Sequence, residues 1–298
     1  MDNLSPILQR IPRLSSAHVL EFKELTGGIT NRNYKITADG ESFVLRLGGI
    51  ETQFLGIDRK IEYVCSALAW QVGIAPEPIA FLEPEGYILA SFVSGKGISA
   101  EEIGTEENIR RVVESMKAYH ALDFFPGFFS PFRVAEEYTK TARSFNVTLP
   151  EKNEWYLEKS REIERAMYRE PLQPRPCHND LLNGNFIDDG TRIRILDWEY
   201  AGMGDIFFDL GNFAVQHDFN DAQDEMLLKA YFGQPTNSQR AHQKLMKTMS
   251  DLREAMWSLV QMGVSKLDFD YAEYGRKYFG RFEESASSSD FQKWLREV

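Results

Sequence analysis

Cysteine is scarce: Cys65 and Cys177 are the only two in 298 residues, which excludes a disulfide framework and a CxxC metal site and points to a reducing compartment. Long apolar runs are lacking too, and stretches such as Val64 to Trp70 fall far short of the about 20 residues needed to span a bilayer. Met1 to Pro6 carries Asp2 and no apolar core, unlike a secretory signal. These absences set the expectation of a cytoplasmic protein with no stable membrane association. Basic charge is outnumbered, 34 Lys and Arg against 45 Asp and Glu, for a net −11. Such a field repels nucleic acid and welcomes a cationic ligand. No internal repeat occurs, and the only biased patch is Ser285 to Ser289. Oligomeric state leaves no mark in the chain.

What is present reads as a folded globular protein, with 43% hydrophobic and 13% aromatic residues. The first 95 residues read mostly as strands. Phe43 to Leu47 and Asn33 to Thr37 flank a turn at Ala38 to Glu41 and predict a hairpin with Gly27-Gly28 at its mouth. One helix is expected in this half, from Ile57, Ile61, Val64, Cys65 and Leu68 at helical spacing, stopping before Gly73. After Gly95 and Gly97 the pattern turns to long amphipathic helices. One stripe is Ile109, Val112, Val113, Met116, Tyr119 and His120; another is Ala241, Leu245, Met249, Leu252, Met256 and Leu259. The expectation is an α+β, two-lobed molecule, a small β-rich lobe (1–95) before a larger helical one (96–298), joined near Ser91 to Gly97.

The segment richest in chemistry runs from Pro176 to Trp198. His178, Asp180 and Asn185 make the spacing HxDxxxxN, with Asp197 twelve residues beyond Asn185. Asp188-Asp189-Gly190 between two apolar segments predicts a tight hairpin, which sets Asn185 and Asp197 roughly opposite each other at its open end. An amide oxygen and a carboxylate suit a hard cation such as Mg²⁺. Asp180, on the loop entering the hairpin, is placed to accept a proton from an attacking hydroxyl, the arrangement phosphoryl transfer needs. Two other nucleotide motifs fail: Gly95-Lys96-Gly97 lacks the remaining Walker A positions, and Gly202-Met203-Gly204 lacks a third glycine, Phe207 standing there. The phenylalanines at 124, 125, 128, 129 and 132 are read as lobe packing, and His120 as a satisfied core histidine.

In these residues the chain resembles the kinase-like small-molecule phosphotransferases, the aminoglycoside phosphotransferases and choline/ethanolamine kinases. The resemblance implies a bilobal protein-kinase-like fold, ATP and Mg²⁺, Asp180 as catalytic base, and Asn185 and Asp197 as metal ligands. Phe208-Asp209-Leu210-Gly211-Asn212 is similar to the FDxGN segment of choline kinases. By the same resemblance, Thr26 to Asn31, with Thr30 and Asn31, covers the nucleotide phosphates, and Arg46 takes the place of the kinase strand lysine with Glu62 as partner. Ser91 and Val93 occupy the hinge, presenting backbone groups to adenine, and His178 organises the loop.

Trp257 lies roughly 140° round the helix from the Leu252, Met256, Leu259 stripe and needs another partner. Trp257 to Gln261, followed by Phe269, Tyr271 and Tyr274, resembles the choline-kinase C-terminus, whose aromatics cage a quaternary ammonium by cation–π contact. The implied acceptor residues are Tyr200, Gln216, Glu254, Trp257, Tyr271 and Tyr274. Two positions depart from that family: Glu254 stands where a Trp is usual and Gln216 where a Glu is usual. Choline is the acceptor expected first, with ethanolamine, thiamine or an aminoglycoside as alternatives, and a non-catalytic metabolite-binding protein as the rival of another class.

Overall fold

The computed structural model describes residues 4–18, 20–25, 31–49 and 52–298. The glycine-pair turn with Thr30 lies outside the described residues; Asn31 lies within them.

The chain opens with two four-residue helices, α1 (Ser5–Leu8) and α2 (Pro12–Ser15), too short for periodicity to predict. Strands β1 (Leu20–Leu25), β2 (Arg32–Ala38), β3 (Glu41–Leu47), β4 (Pro78–Leu82) and β5 (Tyr87–Ser91) form one antiparallel sheet in the order β1-β2-β3-β5-β4. The predicted hairpin is β2–β3, closed by Asp39 and Gly40, both at positive φ, as a two-residue turn matched to strand twist requires. Tyr34, Ile36, Ala38, Phe43 and Leu45 alternate inward, where Leu4, Leu8, Ile11 and Leu14 of the N-terminal segment cover them.

The expected helix is α3 (Arg59–Gln71). Asp58 caps it by accepting from the amides of Lys60 and Ile61, and Gly73 at φ +76° follows its end. Glu62, Cys65 and Ala69 face inward, whereas Val64 is exposed, a correction to the predicted apolar stripe.

Beyond β5 the chain passes into β6 (Lys96–Gly97), then α4 (Ala100–Ile103), α5 (Glu106–His120), α6 (Pro131–Ser144) and α7 (Asn153–Met167). Three short strand pieces, β7 (Arg175–Cys177), β8 (Phe186–Asp188) and β9 (Ile193–Ile195), carry the HxDxxxxN segment, with β10 (Gly202–Gly204) paired to β7. Helices α8 (Ile206–Gln216), α9 (Asp221–Phe232), α10 (Asn237–Val264), α11 (Tyr271–Ser287) and α12 (Phe291–Glu297) complete the chain. Both predicted stripes, on α5 and α10, are buried throughout. Central α10 packs on α6, α8, α11 and α12, so every residue from Ser250 to Gln261 is buried. Of the phenylalanine group, Phe125 and Phe132 are in the core as expected, but Phe124 and Phe128 stay exposed.

The connection between the halves is itself a strand. Residues Lys96 and Gly97 pair with Asp188 and Ile187 of β8, and a Cβ on Gly95 would come within 2.3 Å of the Asp188 carbonyl oxygen. Only glycine allows that approach, which accounts for Gly95 without a phosphate loop; Gly97 has open space around it. Gly202-Met203-Gly204 is likewise structural, running beside the strand that enters the catalytic segment.

Candidate active site

The loop after β7 is held from beneath by α8. Asp209, fully buried, accepts hydrogen bonds from the amides of His178 (2.9 Å) and Asn179 (2.6 Å) and from the Tyr119 hydroxyl (2.7 Å), and lies 3.0 Å from His120 Nε2. One helical turn on, Asn212 accepts from the Leu181 amide (2.6 Å) and donates to Ser250 Oγ (3.0 Å). The i, i+3 spacing puts both on one face of α8, so the Phe-Asp-Leu-Gly-Asn run fixes three of the four loop amides from His178 to Leu181. Gly211 between them lets α8 approach α10, since a Cβ there would sit 2.6 Å from the Lys247 backbone nitrogen. Asn179 adopts φ +67°, in the left-handed region that asparagine tolerates better than most residues, with its amide on Asp209 and its side chain donating to the Tyr200 carbonyl (3.0 Å).

His178 spans the loop. Its Nδ1 accepts from the Asp180 amide at 3.2 Å, so the proton sits on Nε2 and is donated to the Leu196 carbonyl at 2.9 Å. Burial pushes its pKa down, which keeps the ring neutral and suits an organising role. His120 is satisfied by Asp209 and by Tyr231, as a core histidine should be.

Asp180 is nearly buried, and burial pushes its carboxyl up against the opposing pull of Arg253. Asn185 donates its amide nitrogen to the Asp180 carbonyl (2.8 Å), which leaves the amide oxygen as the atom able to meet a metal. The hairpin register differs by one from the expected pairing: Asn185 faces Leu196 (2.9 Å), and Asp197 lies one residue beyond, at φ +64°. The turn explains this, since Asp189 Oδ1 accepts from the amides of Thr191 and Arg192 and makes it longer than two residues. An amide oxygen and a partly exposed carboxylate remain at the hairpin mouth, an all-oxygen donor set that fits Mg²⁺.

Arg46 joins this group from β3. Its Nη1 bonds Glu62 and, at 2.7 Å, Asp197 Oδ1, so the predicted Arg46–Glu62 pair is formed and extends to the candidate metal ligand. Sequence reasoning anticipated Asn31 but missed two further members, Arg59 and Glu199. Arg59 bridges Glu62 (2.6 Å) and Glu199 (3.0 Å), and Asn31 bonds both Arg59 (2.9 Å) and Glu199 (3.1 Å). Arg59 stands three residues before Glu62, a spacing that shares one face of α3, and that was the available signal; Glu199 lies beyond β9, where no strand period applies. Burial beside Asp197 pushes Glu199 up, while the surrounding carboxylates hold both arginines firmly charged. Ser91 ends β5, its amide donating to the Glu77 carbonyl and its hydroxyl accepting from the Glu77 amide; Val93 follows in the connection to β6.

On the other side of Asp180 lies an aromatic cluster. Trp257 packs edge-on against Tyr271 (5.8 Å) and Tyr274 (5.6 Å), and Phe269 against both tyrosines, which supplies the partner Trp257 needed. Tyr274 donates to Glu254 Oε2 at 2.7 Å. Arg253, adjacent in α10 and unanticipated from the sequence, links Glu254 Oε1 (2.5 Å) to Asp180 Oδ1 (3.0 Å) and lies over the Tyr200 ring at 4.3 Å. Five of the six expected acceptor residues thus form one connected set with Asp180. Gln216, in the last turn of α8, is not joined to it by a hydrogen bond, and its Nε2 is buried without a partner among the described residues.

A buried carboxylate on a clamped loop, with an oxygen pair on one side and an aromatic, acidic pocket on the other, is the site of a small-molecule kinase. The model of the phosphotransferase enzyme family matches residues 21–243, and the chain belongs to that family. It is 26% identical over 255 residues to "Protein LicA" of Haemophilus influenzae, covering 81% of this chain and 73% of that one. It is 24% identical over 314 residues to the "Probable ethanolamine kinase A" of Dictyostelium discoideum, covering 92% and 87%. The solved structure of a choline/ethanolamine kinase family protein from Mesorhizobium loti superposes with a TM-score of 0.84 at 30% identity, over 98% of this chain and 96% of that one.

Proposed function

We propose that the protein transfers the γ-phosphoryl group of ATP to the hydroxyl of a small amino alcohol of the choline and ethanolamine class. The observation that carries the reading is the unbroken chain from Asp180 through Arg253 and Glu254 to Tyr274 and Trp257, which makes base and acceptor pocket one site. The hydroxyl lies against Asp180, gives it the proton, and bonds to the γ-phosphorus as the bond to the β-phosphate oxygen breaks. Residues 1–95, through Asn31, Arg46 and the hinge, hold the nucleotide, and residues 96–298 supply the base and acceptor pocket. Asn185 and Asp197 hold Mg²⁺, which when bound neutralises charge on the phosphates. Glu254 and the ring faces of Trp257, Tyr271 and Tyr274 attract the ammonium.

The test is ADP release with ATP and Mg²⁺ across choline, ethanolamine, thiamine and an aminoglycoside. Choline or ethanolamine should lead. Clear preference for thiamine or the aminoglycoside would overturn the reading, as would nucleotide binding with no transfer to any of them.

A further inference from the structure

Two cations have a claim on one carboxylate at the hairpin mouth. Asp197, placed to hold a metal, already carries an arginine: Arg46 Nη1 lies 2.7 Å from Asp197 Oδ1 while also bonding Glu62. Arg59 stands beside this pair without bonding Asp197, its Nη1 divided between Glu62 (2.6 Å) and Glu199 (3.0 Å). The Asp197 side chain is 25% exposed, against 4% for Glu62 and for Glu199, so of the three carboxylates it is the one an ion from solvent can reach. Arg46 is itself partly exposed, and its Nε and Nη2 make no hydrogen bond among the described residues. It is held through one nitrogen, with the rest of its fork open to an incoming group.

Asp197 has a second oxygen to offer a metal, but a divalent ion and a guanidinium on one carboxylate repel each other, and more strongly where burial lowers the effective dielectric. A polyphosphate removes the conflict, because its oxygens can accept from the arginine fork and bind the ion at the same time. We infer that Arg46 stands in for the metal in the nucleotide-free protein: it neutralises Asp197 and opposes a bare divalent ion at the Asn185–Asp197 pair, so that the metal enters together with the phosphates. This inference rests on the phosphoryl-transfer reading and adds an order of binding to it. Arg46 then has two opposite effects, against the ion alone and in favour of the ion bound to nucleotide.

Mn²⁺ titrations of the full chain, read from the EPR signal of the free ion, test it. Without nucleotide, Arg46→Gln should bind Mn²⁺ about ten-fold tighter than the native protein, while its Kd for MnATP rises about ten-fold. Arg46→Lys, which keeps the charge, should hold the bare ion as weakly as the native chain does. Arg59→Gln removes the same charge from the same cluster but no contact of Asp197, so its gain should be at most about three-fold. An unchanged or weaker Mn²⁺ affinity in Arg46→Gln sinks the inference. So does an equal gain in Arg59→Gln, since net charge alone would then account for it; either result leaves the metal pair and the phosphoryl-transfer reading intact. If Arg46→Gln does not fold, Glu62→Gln decides: it leaves Arg46 to Asp197 alone and should weaken binding of the bare ion, and tighter binding there overturns the inference. ATP that binds the native chain no better with Mn²⁺ than without it would overturn the metal pair and the inference together.

Discussion

At the scale of single residues, the site sets the Asp180 carboxylate apart from the groups that hold it, Arg253 and the loop amides. Asp180→Ala should lower kcat about 10² to 10⁴-fold if the carboxylate takes the hydroxyl proton, as steady-state ADP release would show; an unchanged kcat would contradict that role. Tyr274→Phe removes only the hydroxyl that donates to Glu254. It should raise the acceptor KM several-fold with kcat nearly unchanged, because it loosens binding and leaves the base alone. A matching fall in kcat would instead mean that Glu254 also governs Asp180 through Arg253. These residues differed in how visible they were. His178, Asp180, Asn185 and Asp197 sit within one short loop and hairpin, so their spacing alone announced a shared purpose. Arg253 meets Asp180 across 73 positions and Arg59 meets Glu199 across 140, and no local pattern records such encounters.

At the scale of elements, α8 is the part on which the loop depends. Gly211→Ala would drive a Cβ into the α10 backbone, and overpacking of this kind costs about 1–3 kcal/mol. Because Asp209 and Asn212 flank it, the variant should lose activity beyond its loss of stability; a full-activity variant with lowered Tm would show that the loop tolerates a displaced α8. The end of α8 carries a pH-dependent weakness. His217 donates from Nδ1 to the Phe213 carbonyl (2.7 Å), its Nε2 is buried without a partner among the described residues, and burial pulls its pKa down to about 4. The unfolded chain, with an ordinary value near 6.5, therefore binds the proton first as pH falls. Stability should be full above about 6.5 and decline by about 3 kcal/mol as pH drops towards 4, with denaturant melts of His217→Gln showing a flatter profile. The stripes on α5 and α10 were legible because each repeats over several turns. The helices α1 and α2 were not, since four residues offer no period, and Val64 was misplaced because α3 turns a narrower face inward than its apolar residues suggest.

At the scale of the whole molecule, nucleotide and fold should stabilise each other. Saturating MgATP at about a hundred times its Kd should add about 2.7 kcal/mol and raise Tm, and a chelator should abolish both transfer and most of that shift. A shift unaffected by chelation would argue against the Asn185–Asp197 metal pair. The two-part architecture was readable from the change of pattern near residue 95, but the way the parts depend on each other was not. The buried group on the first part holds two arginines, Arg46 and Arg59, against a single carboxylate, Glu62; the balancing carboxylates, Asp197 and Glu199, come from the second part. During synthesis, then, the five-stranded sheet is complete in sequence long before its interior charges are balanced. A fragment ending after β5 would present unneutralised guanidinium groups where the intact chain has closed ion pairs, so the N-terminal part is a poor candidate for independent folding, transplantation or swapping. Its sheet is a local structure, yet its electrostatic completion is inherited from residues more than a hundred positions downstream.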